Sequence, residues 1–207
     1  MFNDRYGLTA AVLQGRKTMT HRICKEYATG QLILASDVES FRYYPDENIV
    51  EFLMKDGTIK VSVPPYKNNE FVAVAQSYES LANSGHLDQM TVPANNPVQL
   101  EFKKEYTGKG WSNKMFVLPD LMPHQAQITD FNIEPLQDIT NDDCLKEGIE
   151  YSKYERNWFY TNDKNTEFHA PTPRKAFASL INRPGVGRKG LWEENPFVFA
   201  YSFKLIK

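Results

Sequence analysis

The sequence predicts an α+β fold: a small, mostly antiparallel β-barrel decorated by short helices and long insertions. Three observations lead there. β-rich runs recur at uneven spacing, helical periodicity is confined to a few brief segments, and strands do not alternate with helices in the rhythm of a parallel sheet. A length of 207 residues suits one domain, 1–207, with a single well-buried core.

Each element has its own warrant. Residues 8–14 place Leu8, Ala11 and Val12 on one helical face, with Thr9 as the expected cap and Gly15 ending the helix. Residues 18–23 carry β-branched side chains at alternating positions and read as extended, and residues 31–35 read as a short strand. Two β-rich runs, 49–54 and 58–63, flank Lys55-Asp56-Gly57, and an Asp-Gly in that setting signals a hairpin. Residues 70–75 form a short apolar run suited to a buried central strand, entered through Asn68-Asn69.

Between 77 and 112 the sequence turns polar and loses its period, which predicts a surface insertion. It and the residues just after it carry Lys103, Lys104, Lys109 and Lys114, interleaved with Tyr106 and Trp111. Two readings stand: a solvated loop with tucked aromatics, or a phosphate-contacting rim with a stacking platform. Structure resumes at 114–117 and at 126–133. Thr140 then caps a helix through Cys144, Leu145 and Ile149, with Glu147-Gly148 at its C-terminal end. A carboxylate there opposes the helix dipole, so Glu147 is either solvated or held by a specific partner.

The last third holds Tyr151, Tyr154, Trp158, Phe159 and Tyr160 in a charged background, then a helix over 173–182 that presents Phe177, Leu180 and Ile181. The basic loop from Pro184 to Gly190 lacks the Gly-Lys-Thr/Ser ending of a phosphate loop. Residues 197–205 alternate, with Phe197, Phe199, Tyr201, Phe203 and Leu205 on one face, as a long strand closing the sheet.

Composition bounds the function. Apolar residues at 41%, charged residues at 24% and a net charge of -2 describe an ordinary globular chain with no global pull toward polyanions, so a nucleic-acid surface must be a local patch. There is no apolar leader and no apolar run near ~20 residues, and the two cysteines, Cys24 and Cys144, sit in unrelated contexts. The expectation is a cytoplasmic protein without disulfides or membrane spans. His21, His86, His124 and His169 lack ligand spacing with the cysteines, so neither a metal nor a cofactor is expected.

The stretch Gly15-Arg16-Lys17-Thr18-Met19-Thr20-His21-Arg22 concentrates the chemistry. Long cations are costly to bury without partners, so these groups should line a surface or a cleft. In strict alternation Thr18, Thr20 and Arg22 share one face while Lys17, Met19 and His21 share the other, so Lys17 and Thr20 diverge unless the loop after Gly15 turns Lys17 inward.

This stretch resembles the Gly-x-Lys-x-x-Thr-x-Arg signature of ASCH domains, members of the PUA-like superfamily of small β-barrels. Three further stretches resemble that family in the right order. Tyr66 to Val74 is similar to its Tyr-x-x-Gly-Asp strand entry, with Asn69 in place of glycine. Leu136 to Ile149 is similar to the segment ending in Glu-Gly. Trp192 to Phe199 is similar to the Trp-x-x-Asn-Pro-Trp-Val start of the last strand, with Phe197 in place of tryptophan. Gly110 to Val117 also looks like longer phage-associated and bacterial members. The match leaves insertions near 24–48, 79–108 and 150–170.

What the resemblance implies is a PUA-like barrel that recognises RNA or a nucleoside or nucleotide in a cleft lined by Lys17, Thr20, Arg22 and Glu147, with Arg16, Lys114 and Trp111 as further ligand contacts. One branch of the family hydrolyses 4-acetylcytidine. Carried over by motif, that amidohydrolase chemistry makes Lys17 the base, Thr20 the nucleophile and Glu147 the acid/base at the leaving amine. A third reading keeps the same residues as structural ion pairs in an interaction protein of mobile-element origin.

Overall fold

The computed structural model describes residues 2, 6–86, 109–160 and 170–206. In chain order its elements are α1 (Leu8–Leu13), β1 (Met19–Ile23), β2 (Val38–Tyr44), β3 (Ile49–Met54), β4 (Ile59–Ser62), β5 (Phe71–Ala73), α2 (Tyr78–Asn83), β6 (Gln125–Pro135), α3 (Asn141–Lys146), β7 (Ile149–Ser152), β8 (Asn157–Tyr160), α4 (Pro173–Ile181), α5 (Leu191–Glu194) and β9 (Phe197–Ile206). The result is a mixed α and β molecule with mostly antiparallel sheets, one of them curled into a half-barrel, and a few short helices.

The half-barrel has strand order β1-β9-β6-β5. β9 is its centre because both faces of the strand find apolar partners. Its odd-numbered face, Phe197, Phe199, Tyr201 and Phe203, packs with Val50, Phe52 and Met54 of β3, and with Ile33 and Val74. Val198 on the other face joins Phe177, Leu180 and Ile181 of α4, together with Leu136, Ile149 and Tyr160. Burying each such side chain contributes about 1.5–3 kcal/mol. The predicted alternation thus holds, and α4 adds a second buried face at the start of the strand. A register shift between Ile128 and Asp130 marks a bulge in β6, which bends the strand and helps curl the sheet.

The Asp56-Gly57 hairpin forms as expected, with Gly57 at φ +83° and β3 pairing to β4 from Val50↔Ser62 to Leu53↔Ile59. A third strand, β2, extends this sheet to β2-β3-β4, so part of the expected insertion at 24–48 is regular structure. Other expectations change. Residues 31–35 contribute isolated bridges, Lys25↔Leu32 and Leu34↔Pro196, rather than a strand. The run at 70–75 is not central: β5 spans three residues at the edge of the half-barrel, and Phe71 is 57% exposed. Residues 114–116 form a bend and a turn, and Val117 is irregular. α1 starts at Gly7 in the left-handed region, and Thr9 donates its hydroxyl to the Phe2 carbonyl instead of capping. Of the surface insertion, α2 is described, while Lys103, Lys104 and Tyr106 lie outside the described residues.

Candidate site at the open edge of the half-barrel

Three local devices bring the site together. α1 ends at Gly15, φ +72°, and the Arg16 and Lys17 amides both bond back to the Ala11 carbonyl, so the loop folds over the end of the helix. The Thr18 amide then donates to the Lys146 carbonyl at 2.8 Å, which fastens the loop to the end of α3. That helix begins at Thr140, whose hydroxyl accepts from the Asp143 amide, and ends at Glu147. Gly148, at φ +100°, turns the chain away at once. A Cβ at Gly148 would lie 3.6 Å from Lys17 Cβ and from Ala11 Cβ, so the objection to a side chain there is conformational rather than steric.

Lys17 and Glu147 therefore meet although 130 residues separate them in sequence. The Lys17 ammonium donates to the Glu147 carbonyl at 3.1 Å and to its carboxylate at Oε2. One side chain thus satisfies an orphan carbonyl at the helix C-terminus and neutralises the acid placed there. The other carboxylate oxygen, Oε1, accepts from the His21 backbone amide at 2.7 Å and faces His21 Nδ1 at 2.6 Å. His21 Nε2 stands 3.5 Å from Glu134 Oε1 on β6. Sheet register explains that contact: His21 pairs with Ala200, Glu134 with Val198, and β9 lies between their strands. The His21 ring also rests on Phe177 of α4, with centroids 5.6 Å apart.

The electrostatics follow from that geometry. Burial works against the Glu147 carboxylate, but Lys17 and His21 outweigh it and hold its pKa down at about 2. Burial also opposes a charge on His21, yet Glu134 and Glu147 raise it to about 9, so both ring nitrogens carry protons that face carboxylates. Burial pulls the Lys17 amine below the ordinary lysine range against the attraction of Glu147, and Arg22 adds to the fall.

Lys17, Thr20, His21, Arg22 and Glu147 line one cleft of about 70 Å³, closed on its other side by Phe2, Leu8, and Phe177, Leu180 and Ile181. The divergence expected of Lys17 and Thr20 is resolved by the loop, since Lys17 precedes β1 and does not obey its alternation. The remaining candidates lie elsewhere. Arg16 turns to Gln14 and Glu150, the latter at 2.8 Å. Lys114 donates to Thr9 Oγ1 and to the Phe2 carbonyl. Trp111 packs beside the small cluster of Tyr78, Leu81, Leu121 and Met122.

Sequence reasoning missed three participants. His21 was visible within the basic stretch, and a histidine between two cations needs an acid partner. Glu134 could be found only from the β1-β9-β6 register. Phe2 carries no sequence signal at all.

Among the described residues no group of three or more His, Cys, Asp and Glu side chains is placed to hold a metal, and no helix is long and apolar enough to cross a membrane. No family model, no curated protein and no solved structure matches this chain.

Proposed function

We propose that the chain is a ligand-binding domain of the ASCH and PUA-like kind, and that the Lys17 cleft takes a nucleoside or nucleotide, free or as the exposed base of an RNA. One observation carries this reading: the buried Lys17–Glu147–His21 network lines a cleft instead of being packed by protein on every side. Buried ion pairs return little net stability compared with apolar packing, so stability alone is a weak reason for the arrangement. Perturbed titratable groups converging on a cleft are the usual mark of a binding or catalytic site. Lys17 and Arg22 supply cations, Thr20 a hydroxyl, and Glu147 an acceptor set for orienting a base edge.

The lowered Lys17 amine beside Thr20 favours a second reading, hydrolysis of an N-acylated cytidine. In the form that has shed a proton, Lys17 accepts the Thr20 hydroxyl proton as the oxygen attacks the amide carbonyl. The C–N bond then breaks, the departing exocyclic amine takes up a proton by way of Glu147, and water cleaves the acyl-threonine ester to free acid and restore Thr20. The Lys17 amine is turned to Glu147, which supports binding as the first reading.

Calorimetric titration with cytidine, cytidine monophosphate and a short single-stranded RNA at low and high salt tests the first reading. Binding that weakens at least 10-fold in Lys17→Ala and Arg22→Ala is expected. Binding indifferent to both substitutions overturns it. Release of cytidine from 4-acetylcytidine, lost in Thr20→Val and Lys17→Ala, tests the second. Inactivity of the unaltered protein removes it, and silence in both assays leaves the interaction-protein reading.

A further inference from the structure

The Lys17 cleft is one of two cavities that meet at the same side chains. The second, of about 60 Å³, lies inside the half-barrel, between Thr20 and Arg22 on edge strand β1 and residues 72–75 running on from edge strand β5, with Tyr66 and Phe203 as further walls. Phe2, Thr20 and Arg22 border both cavities. The Phe2 ring is the partition. Its centroid is 5.6 Å from Lys17 Nζ, 5.8 Å from Arg22 Cζ and 5.8 Å from the Phe203 ring.

Phe2 is held mainly through its backbone, since its carbonyl accepts from Thr9 Oγ1 at 3.3 Å and from Lys114 Nζ at 3.2 Å. The ring itself has only apolar and cation–π contacts, which are individually weak. Beside it Arg22 Nε is buried without a hydrogen-bond partner. A buried donor left unmade is destabilising, and here it borders the very cavities that Phe2 separates.

Building on the ligand-binding reading above, we propose that the Phe2 ring holds the place of a ligand's ring. The ligand class is a planar aromatic or heteroaromatic ring bearing a carbonyl acceptor. On binding, the ring displaces Phe2, takes its position between Lys17 and Arg22, and gives its carbonyl to the Arg22 Nε–H. The two chambers then become one groove, with the polar end at Lys17 and Glu147 and the apolar end inside the half-barrel.

Benzamide, a ring with a carbonyl, and acetamide, which lacks the ring, are the probes for titration of the full chain. Phe2→Ala should bind benzamide about 10-fold more tightly than the unaltered protein, with acetamide unchanged, and adding Arg22→Gln should abolish the gain. Equal benzamide affinity with and without Phe2, or none in Phe2→Ala, overturns the proposal. A second measurement keeps the native packing. In protein labelled with 4-fluorophenylalanine, the Phe2 resonance, assigned by its loss in Phe2→Leu, should shift at saturating benzamide, and an unmoved resonance overturns the proposal. Cytidine separates the two claims. Benzamide displacing Phe2 while cytidine fails to bind supports the ring site and sinks the nucleoside reading, whereas cytidine binding with Phe2 unmoved does the reverse.

Discussion

Two basic stretches that begin or end in glycine, Gly15 to Arg22 and Pro184 to Gly190, have similar chemistry in sequence and opposite fates in the fold. Each supplies a cation that pairs with a glutamate. In the Lys17–Glu147 pair the side chains are 2% and 6% exposed, while in the Arg188–Glu194 pair they are 53% and 35% exposed. The second pair closes over six residues and is solvated. The first needs α3 to deliver both a carboxylate and a spare carbonyl, and β1 to deliver His21. What separates a buried cation from a surface one here is the set of acceptors the backbone brings to it, not the density of charge around it.

Removing the acceptor set breaks that contrast most directly. Glu147→Ala leaves the Lys17 amine and the His21 ring buried without their shared acceptor and should destabilise the protein by about 3–5 kcal/mol in urea unfolding. A loss no larger than an ordinary surface substitution would show that water already reaches the pair.

The pH dependence sharpens it next. His21 is raised to about 9 from 6.5, so the stability it contributes is complete below pH 6.5 and is lost as pH rises through about 9. Glu147 is lowered to about 2 from 4.5, so its contribution is present above pH 4.5 and is lost as pH falls toward 2. Unfolding curves across pH should therefore show an alkaline loss that disappears in His21→Asn. An alkaline limb unchanged by that substitution would mean that His21 is not charged in the fold.

A smaller effect is expected at the turn. Gly148→Ala forces a side chain into a left-handed conformation and should destabilise by about 1–2 kcal/mol, with weaker ligand binding because Glu147 shifts. At the end of the scale, Arg188→Ala should leave the melting temperature unchanged. A measurable drop would mean that the second loop is closer in kind to the first than its exposure suggests.

Much of the scaffold is legible in the residues. The alternation of 197–205, the Asp-Gly hairpin and the cap at Thr140 are local signals, and each appears where it was read. The errors are of one type. An apolar run such as Phe71-Val72-Ala73 does not reveal whether neighbouring strands will flank it on both sides, and among the described residues β6 flanks it on one side. For the site, Lys17, Thr20, Arg22 and Glu147 could be singled out from motif resemblance, and the fold brings all four to one cleft. The network that charges it could not be foreseen. Glu134 meets His21 through a strand register, and no periodicity in the sequence places the Phe2 ring beside Arg22.

The separation of Lys17 from Glu147 also has a temporal side. β1 can complete its pairing with β9 only once residue 202 has been made, and the contacts that define the site are long-range in sequence. On a ribosome adding ~5–20 residues per second, Lys17 exists for on the order of ten seconds before its carboxylate partner is synthesised. Until then it is an ordinary hydrated lysine. Closure of these distant loops should thus be a late event in folding, and nascent chains cut short before α3 should carry the whole of residues 15–22 with none of their electrostatics.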